Sequence, residues 1–157
     1  MRIFIKKYFE FLQLALTLML MLLTIPVLLQ VLSRFIPFIP RYIWTEEVAR
    51  FAFIWVIMLG AIVAVRENTH FKVDLLPNLG PVWERRIQLF LLVLMLIIAI
   101  VFLIGGWQFA QFGATQFSEI SGLPMLAIYI AWPIAGGSWI LFLLEQLYDH
   151  FDLPNEH

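Results

Sequence analysis

Residues 87–118 read IQLFLLVLMLIIAIVFLIGGWQFAQFGATQFS, a stretch without a single Asp, Glu, Lys, Arg or His. As one helix it would be about 48 Å long, against a hydrocarbon layer of roughly 30 Å, so it is long enough to cross a bilayer with one end tilting or projecting. Working outward, three further blocks have the same character. Residues 11–33 carry no charge, and residues 120–144 carry none. Residues 51–65 are also uncharged but too short to span alone, and the block extends back through Thr45, Glu46, Glu47 and Arg50 to a helix start. The expected spans are therefore residues 11–33, 45–66, 87–112 and 123–144. Together they predict an all-α integral membrane protein of four transmembrane helices in a single domain over residues 1–157.

Composition agrees. The 157 residues are 62% hydrophobic and only 13% charged, with a mean hydropathy of +0.92, whereas soluble domains carry about 25% charge. So little polar surface cannot cover such a core in water. The net charge of -1 gives no footprint for nucleic acid. The absence of cysteine excludes disulfides, thiolate nucleophiles and thiolate metal sites. Arg2, Lys6 and Lys7 before an apolar run resemble the start of a signal peptide, but residues 11–33 exceed a signal core and no small-x-small site follows. An uncleaved first span is expected.

Four spans put the amino terminus, the loop between spans two and three, and the carboxyl terminus on one side. That side holds seven basic residues, Arg2, Lys6, Lys7, Arg66, Lys72, Arg85 and Arg86, while the other holds three, Arg34, Arg41 and Arg50. The positive-inside bias then makes both termini cytoplasmic. Within the spans, Pro26 is expected to kink the first and Pro133, Gly136 and Gly137 the fourth. Thr45 reads as the cap of the second, with Glu46 and Glu47 in its first turn and Arg50 within reach of both. Residues 67–86 mix charges with Phe71, Leu75, Leu76, Leu79 and Trp83 and read as an interfacial loop. Gly106, Ala110 and Ala114, and likewise Ala127, Ala131 and Ala135, form small-residue stripes expected to pack within the chain.

Sites of chemistry are missing from the spans. Their deep parts contain no ionisable residue, so a self-sufficient carrier or exporter lacks the groups that hold a solute or coupling ion. His70, His150 and His157 lie outside the spans, which removes a haem-binding bundle. No catalytic triad, metal-ligand spacing or phosphate loop occurs, so no enzyme, cofactor or metal is expected. What remains is a helical body with charges at its ends. Arg34, Trp44, Glu46, Glu47 and Arg50 mark one edge, read either as capping and interfacial anchoring or as a docking surface. Gln108 and Gln111, continued by Thr115 and Ser118, form a polar stripe at the outer end of span three and a second candidate partner surface. Arg66, His70 and Asp74 belong to the opposite edge.

The run Trp44-Thr45-Glu46-Glu47-Val48-Ala49-Arg50-Phe51, followed by Leu59-Gly60, Val65-Arg66-Glu67 and His70-Phe71-Lys72-Val73-Asp74, resembles the DctQ-like small membrane subunit of tripartite ATP-independent periplasmic (TRAP) transporters. The likeness extends to length and span number, and less diagnostically to Leu123-Pro124 and the region of Pro133 to Gly137. It implies a bacterial inner-membrane complex with a large multi-span subunit and a periplasmic solute-binding protein, using a sodium gradient to import organic acids. The large subunit would hold the substrate and sodium sites, this chain would be a fixed scaffold in contact with membrane lipid, and its end soon after span four suggests a separate subunit. The alternative is an anchoring or assembly subunit of an unrelated membrane complex, which composition and topology permit equally.

Overall fold

A computed structural model describes residues 2–36, 38, 40, 42–67, 81–120 and 122–152. Its helices are α1 (Arg2–Phe35), α2 (Ile43–Glu67), α3 (Pro81–Ala114), the single turn α4 (Leu126–Tyr129) and α5 (Ala131–Asp152). Four segments are long and apolar enough to cross a membrane, namely Ile3–Phe35, Ile43–Glu67, Arg86–Ala114 and Leu126–Tyr148. The four-helix expectation therefore holds, with helices longer than the apolar blocks because charged residues continue them into the headgroup layers.

Each helix start and stop has a local cause. Pro81 opens α3 at the first helical position, where a missing N–H costs nothing and the fixed φ suits the helix. α1 continues through Pro26 instead of ending there. Thr45 does not cap α2. The helix begins at Ile43, and the Thr45 hydroxyl donates back to the Tyr42 carbonyl at 2.7 Å, the local alternative open to a short hydroxyl side chain. Helical backbone runs on through the fourth span: between α4 and α5 Ile130 keeps φ -66° and ψ -18° and donates its N–H to the Leu126 carbonyl at 2.9 Å, and the ladder is interrupted where Pro133, which has no N–H, follows Tyr129 by four residues.

The polar stripe expected on α3 is cut short for a similar reason. The helix stops at Ala114, and Thr115 spends its hydroxyl on the Phe112 carbonyl at 2.8 Å. Residues 116–120 and 122–125 then fold back on each other, with Phe117 bridged to Pro124, Ser118 N–H donating to Leu123 O at 2.9 Å and Met125 N–H to Gln116 O at 2.9 Å. Gly122 turns this hairpin with φ +69°, a conformation that costs glycine nothing.

α1 packs mainly on α2, α2 on α5, and α5 on α3, so α1 and α3 flank the central pair. Ile62, Ala131, Ala135 and Phe142 are essentially inaccessible at the centre, joined by Ile5 and Leu12 from α1. The α3–α5 seam is made of small residues. A Cβ placed on Gly136 would lie 2.5 Å from the Leu103 nitrogen and 2.8 Å from the Ala99 carbonyl oxygen, so the two backbones are in direct contact. Of the expected stripes, Gly106, Ala110, Ala131 and Ala135 are buried, whereas Ala114, the last residue of α3, and Ala127 are exposed.

Candidate functional site

Polar residues collect at the two ends of the helices. At the end carrying both chain termini, Arg66 lies in the last turn of α2 and meets two other helices at once. Its guanidinium lies 3.4 Å from the Glu145 carboxylate of α5, donates to the Ile5 carbonyl of α1 at 3.4 Å, and stands 4.9 Å from the centroids of both the Phe9 and Phe142 rings. Both partners of the ion pair are about four-fifths buried, at 20% and 19% exposure. Partial desolvation strengthens the pair and the ring contacts together. Around it, Gln146 donates to the Val65 carbonyl at 3.3 Å, Gln13 to the Glu67 carboxylate at 3.4 Å, and Tyr8 and Ser138 share a hydrogen bond of 2.8 Å. This end is a knot tying α1, α2 and α5. His70 and Asp74, expected to act with Arg66, lie outside the described residues, as does most of the expected interfacial loop.

The other end is built differently. Arg34 is the basic residue of the last turn of α1, where a cation complements the negative helix end. Glu46 occupies the first turn of α2 and pairs with Arg50 at 3.8 Å, an i,i+4 contact between side chains 73% and 62% exposed. Such a pair contributes about 0.3–0.5 kcal/mol. Glu47 points inward. It is 5% exposed, and its Oε2 has no hydrogen-bond partner among the described residues. The exposed rim is thus carried by Arg34, Trp44, Glu46 and Arg50, without Glu47. Helix period explains the difference, since at about 100° per residue Glu46 falls in line with exposed Phe53 and Ile57, whereas Glu47, one residue on, falls in line with buried Met58 and Ile62.

Gln108 and Gln111 are exposed on α3, beside exposed Trp107 and Phe112 and turned from the buried Gly106, Ala110 and Gly113. Residues missed in the sequence reading are those that lock helices at long range. Trp55 donates its indole N–H to the Ala127 carbonyl at 2.9 Å and ties α2 to α4. Phe102 stacks on Trp139 at 4.8 Å and on Trp132 at 5.4 Å between centroids. Neither pairing leaves a sequence signal, because each joins residues far apart in the chain. Among the described residues no group of three or more His, Cys, Asp or Glu comes together.

Comparison with known proteins gives this arrangement a context. Residues 23–153 match the family model described as the DctQ component of tripartite ATP-independent periplasmic transporters. A putative TRAP transporter small permease protein of Haemophilus influenzae is 40% identical over 93 residues, covering 59% of this chain and 58% of that protein. The sialic acid TRAP transporter permease protein SiaT of Haemophilus influenzae is 36% identical over 92 residues, which are 59% of this chain and 14% of SiaT. The isethionate TRAP transporter permease protein DctMQ of Oleidesulfovibrio alaskensis is 32% identical over 111 residues, 67% of this chain and 17% of that protein. The chain thus spans less than two thirds of the length of each of these relatives.

Proposed function

Because the chain belongs to the family of DctQ components of tripartite ATP-independent periplasmic transporters, we propose that it is the membrane scaffold of a sodium-gradient-driven importer of an organic acid. It is a multi-pass protein of the inner membrane, and a transporter permease subunit is not a class of enzyme. In the proposed complex a large multi-span subunit carries solute and sodium, and a periplasmic solute-binding protein delivers the solute. Two relatives are permeases named for sialic acid and for isethionate, both organic acids, which supports the cargo class. This chain aligns with only a small fraction of either, which leaves most of their length for a pathway.

One observation carries the scaffold role. Among the described residues charged side chains stand toward helix ends or in the outer hairpin: Lys6, Lys7 and Glu10 early in α1 and Arg34 in its last turn, Glu46, Glu47 and Arg50 within the first turns of α2 and Arg66 and Glu67 in its last, Arg86 early in α3, Glu119 in the hairpin and Glu145 late in α5. A solute or cation crossing the bilayer needs polar partners at membrane depth, so the pathway is assigned to the large subunit. With both termini cytoplasmic, as the basic-residue asymmetry argues, Arg34, Trp44, Glu46 and Arg50 face the periplasm, where they help seat the binding protein. Gln108 and Gln111 extend that surface, and Arg66 with His70 and Asp74 anchors the cytoplasmic edge.

Reconstitution tests this reading. Proteoliposomes holding this chain, the large subunit and the binding protein are expected to take up the solute when a sodium gradient is imposed, and those holding this chain alone are expected to take up none. Robust uptake by the chain alone, or undiminished uptake by the large subunit and binding protein without it, would remove the scaffold role.

A further inference from the structure

We infer that the cavity between the last turn of α1 and the first turn of α2 is a binding site for the headgroup of an amine-bearing phospholipid. The cavity has a volume of about 270 Å³ and is lined by Gln30, Ser33 and Arg34 from one side and by Tyr42, Thr45 and Glu46 from the other. This is room for several waters or for a small polar headgroup.

The lining selects the chemistry. Arg34 has no ion-pair partner among the described residues and offers a planar guanidinium to a phosphate. The hydroxyls of Ser33 and Thr45 donate their protons to the carbonyls of Gln30 and Tyr42, at 2.9 and 2.7 Å. With those protons spent, both oxygens present lone pairs to the cavity and act as acceptors. Glu46 adds a carboxylate whose only ion pair among the described residues is the long, exposed one with Arg50. Among the described lining residues, one cation and several acceptors suit a zwitterion whose phosphate meets Arg34 and whose ammonium N–H groups meet Ser33, Thr45 and Glu46. Gln30 supplies a further sign that the cavity is built for an occupant. Its amide nitrogen is buried and has no hydrogen-bond partner among the described residues, a state relieved when the amide turns toward a phosphate oxygen.

Position makes the source a lipid. The charge-free residues 11–33 span about 34 Å as helix, close to the hydrocarbon thickness, so Ser33 and Arg34 arrive at the headgroup layer of the leaflet opposite the amino terminus. Leu29 and Ile43 complete the wall, and exposed Leu32 and Phe35 continue the apolar surface along which acyl chains would lie. Pockets with a basic group between transmembrane helices hold headgroups in this way.

The test uses the full chain in nanodiscs of equal parts phosphatidylethanolamine, phosphatidylglycerol and phosphatidylcholine, extracted into mild detergent and read by native mass spectrometry. Wild type is expected to retain phosphatidylethanolamine at least threefold over phosphatidylcholine, whose quaternary nitrogen has no N–H to give. Arg34→Gln should cut total retention about fivefold, and Glu46→Gln should erase the preference between amine and choline headgroups while lipid stays bound. Helicity and monodispersity confirm folding. If Arg34→Gln fails to fold, the selectivity of Glu46→Gln, an exposed change, decides alone. Equal retention of all three lipids by wild type, or full retention by a folded Arg34→Gln, would overturn the site. Displacement by millimolar glycerophosphoethanolamine would instead assign it to a soluble phosphate and overturn the lipid source. No binding protein is present, so the outcome is independent of whether this edge also seats one.

Discussion

The two ends of the helices use similar residue types to opposite effect. At the end bearing the chain termini, Arg66 is shared among Glu145, the Ile5 carbonyl and two aromatic rings, and Tyr8, Ser138, Gln13, Glu67 and Gln146 are paired around it. At the other end Glu46 and Arg50 meet at 3.8 Å in the open, Glu47 Oε2 and Gln30 Nε2 are buried without partners among the described residues, and a cavity opens between the last turn of α1 and the first turn of α2. Polar groups that saturate one another hold helices together. Polar groups left unsaturated are free to meet something else. The paired end reads as the structural anchor of the scaffold and the open end as its working face.

Substitutions at the paired end should break the fold before those at the open end do. The largest effect is expected for Arg66→Ala, which strands the partly buried Glu145 carboxylate and removes both ring contacts. Stripping one partner from a desolvated pair costs about 3–5 kcal/mol, and the residual exposure here argues for roughly 3. Reversible unfolding in mixed micelles measures it, and a loss under 1 kcal/mol would mean the knot is ornamental. Next comes Gly136→Val on the α3–α5 seam. Its side chain has only backbone to displace, so roughly 2–3 kcal/mol and a separation of α3 from α5, seen as faster amide exchange at Ala99 and Leu103, are expected. Tyr8→Phe removes a single hydrogen bond to Ser138 and should cost about 1 kcal/mol. Smallest is Arg50→Ala, which breaks only an exposed i,i+4 pair and should change stability by about 0.5 kcal/mol or less. If Arg50→Ala proved as costly as Arg66→Ala, the contrast between the ends would fail.

Span number and helix type were legible because the bilayer imposes them through length and apolarity, quantities that any 20-residue window carries. Helix ends were legible only in part. Glu46 and Arg50 pair as their spacing requires, yet Thr45 turned out to bond backward to Tyr42, a choice between two local hydrogen bonds that sequence spacing does not decide. Pro133 is legible as a point where the helical ladder loses a bond, because a proline lacks the N–H, whereas the Phe117–Pro124 bridge of the outer hairpin and the Trp55–Ala127 bond are tertiary and leave no local signal. The same limit hid the best-formed cluster. Arg66 was visible as a basic helix end, whereas Glu145, Phe9 and Phe142 reach it from segments far away in the chain. Glu47 was grouped with its exposed neighbours because two adjacent carboxylates look alike until the buried face of α2 is known. The alternative of an anchor for an unrelated complex, open on composition, closes with membership of the family.

The claim that the open end is the working face is tested most directly by sodium-driven uptake as a function of binding-protein concentration, for wild type and Arg34→Glu in complexes assembled to equal yield. Rim charges act mainly through encounter, and salt screens them over about 10 Å at 0.1 M. Arg34→Glu is therefore expected to shift the half-saturating concentration of binding protein severalfold at low salt, with the shift shrinking at high salt and the maximal rate little changed. Identical concentration curves for the two complexes at both salt levels would contradict the account and leave Arg34 no part in seating the binding protein.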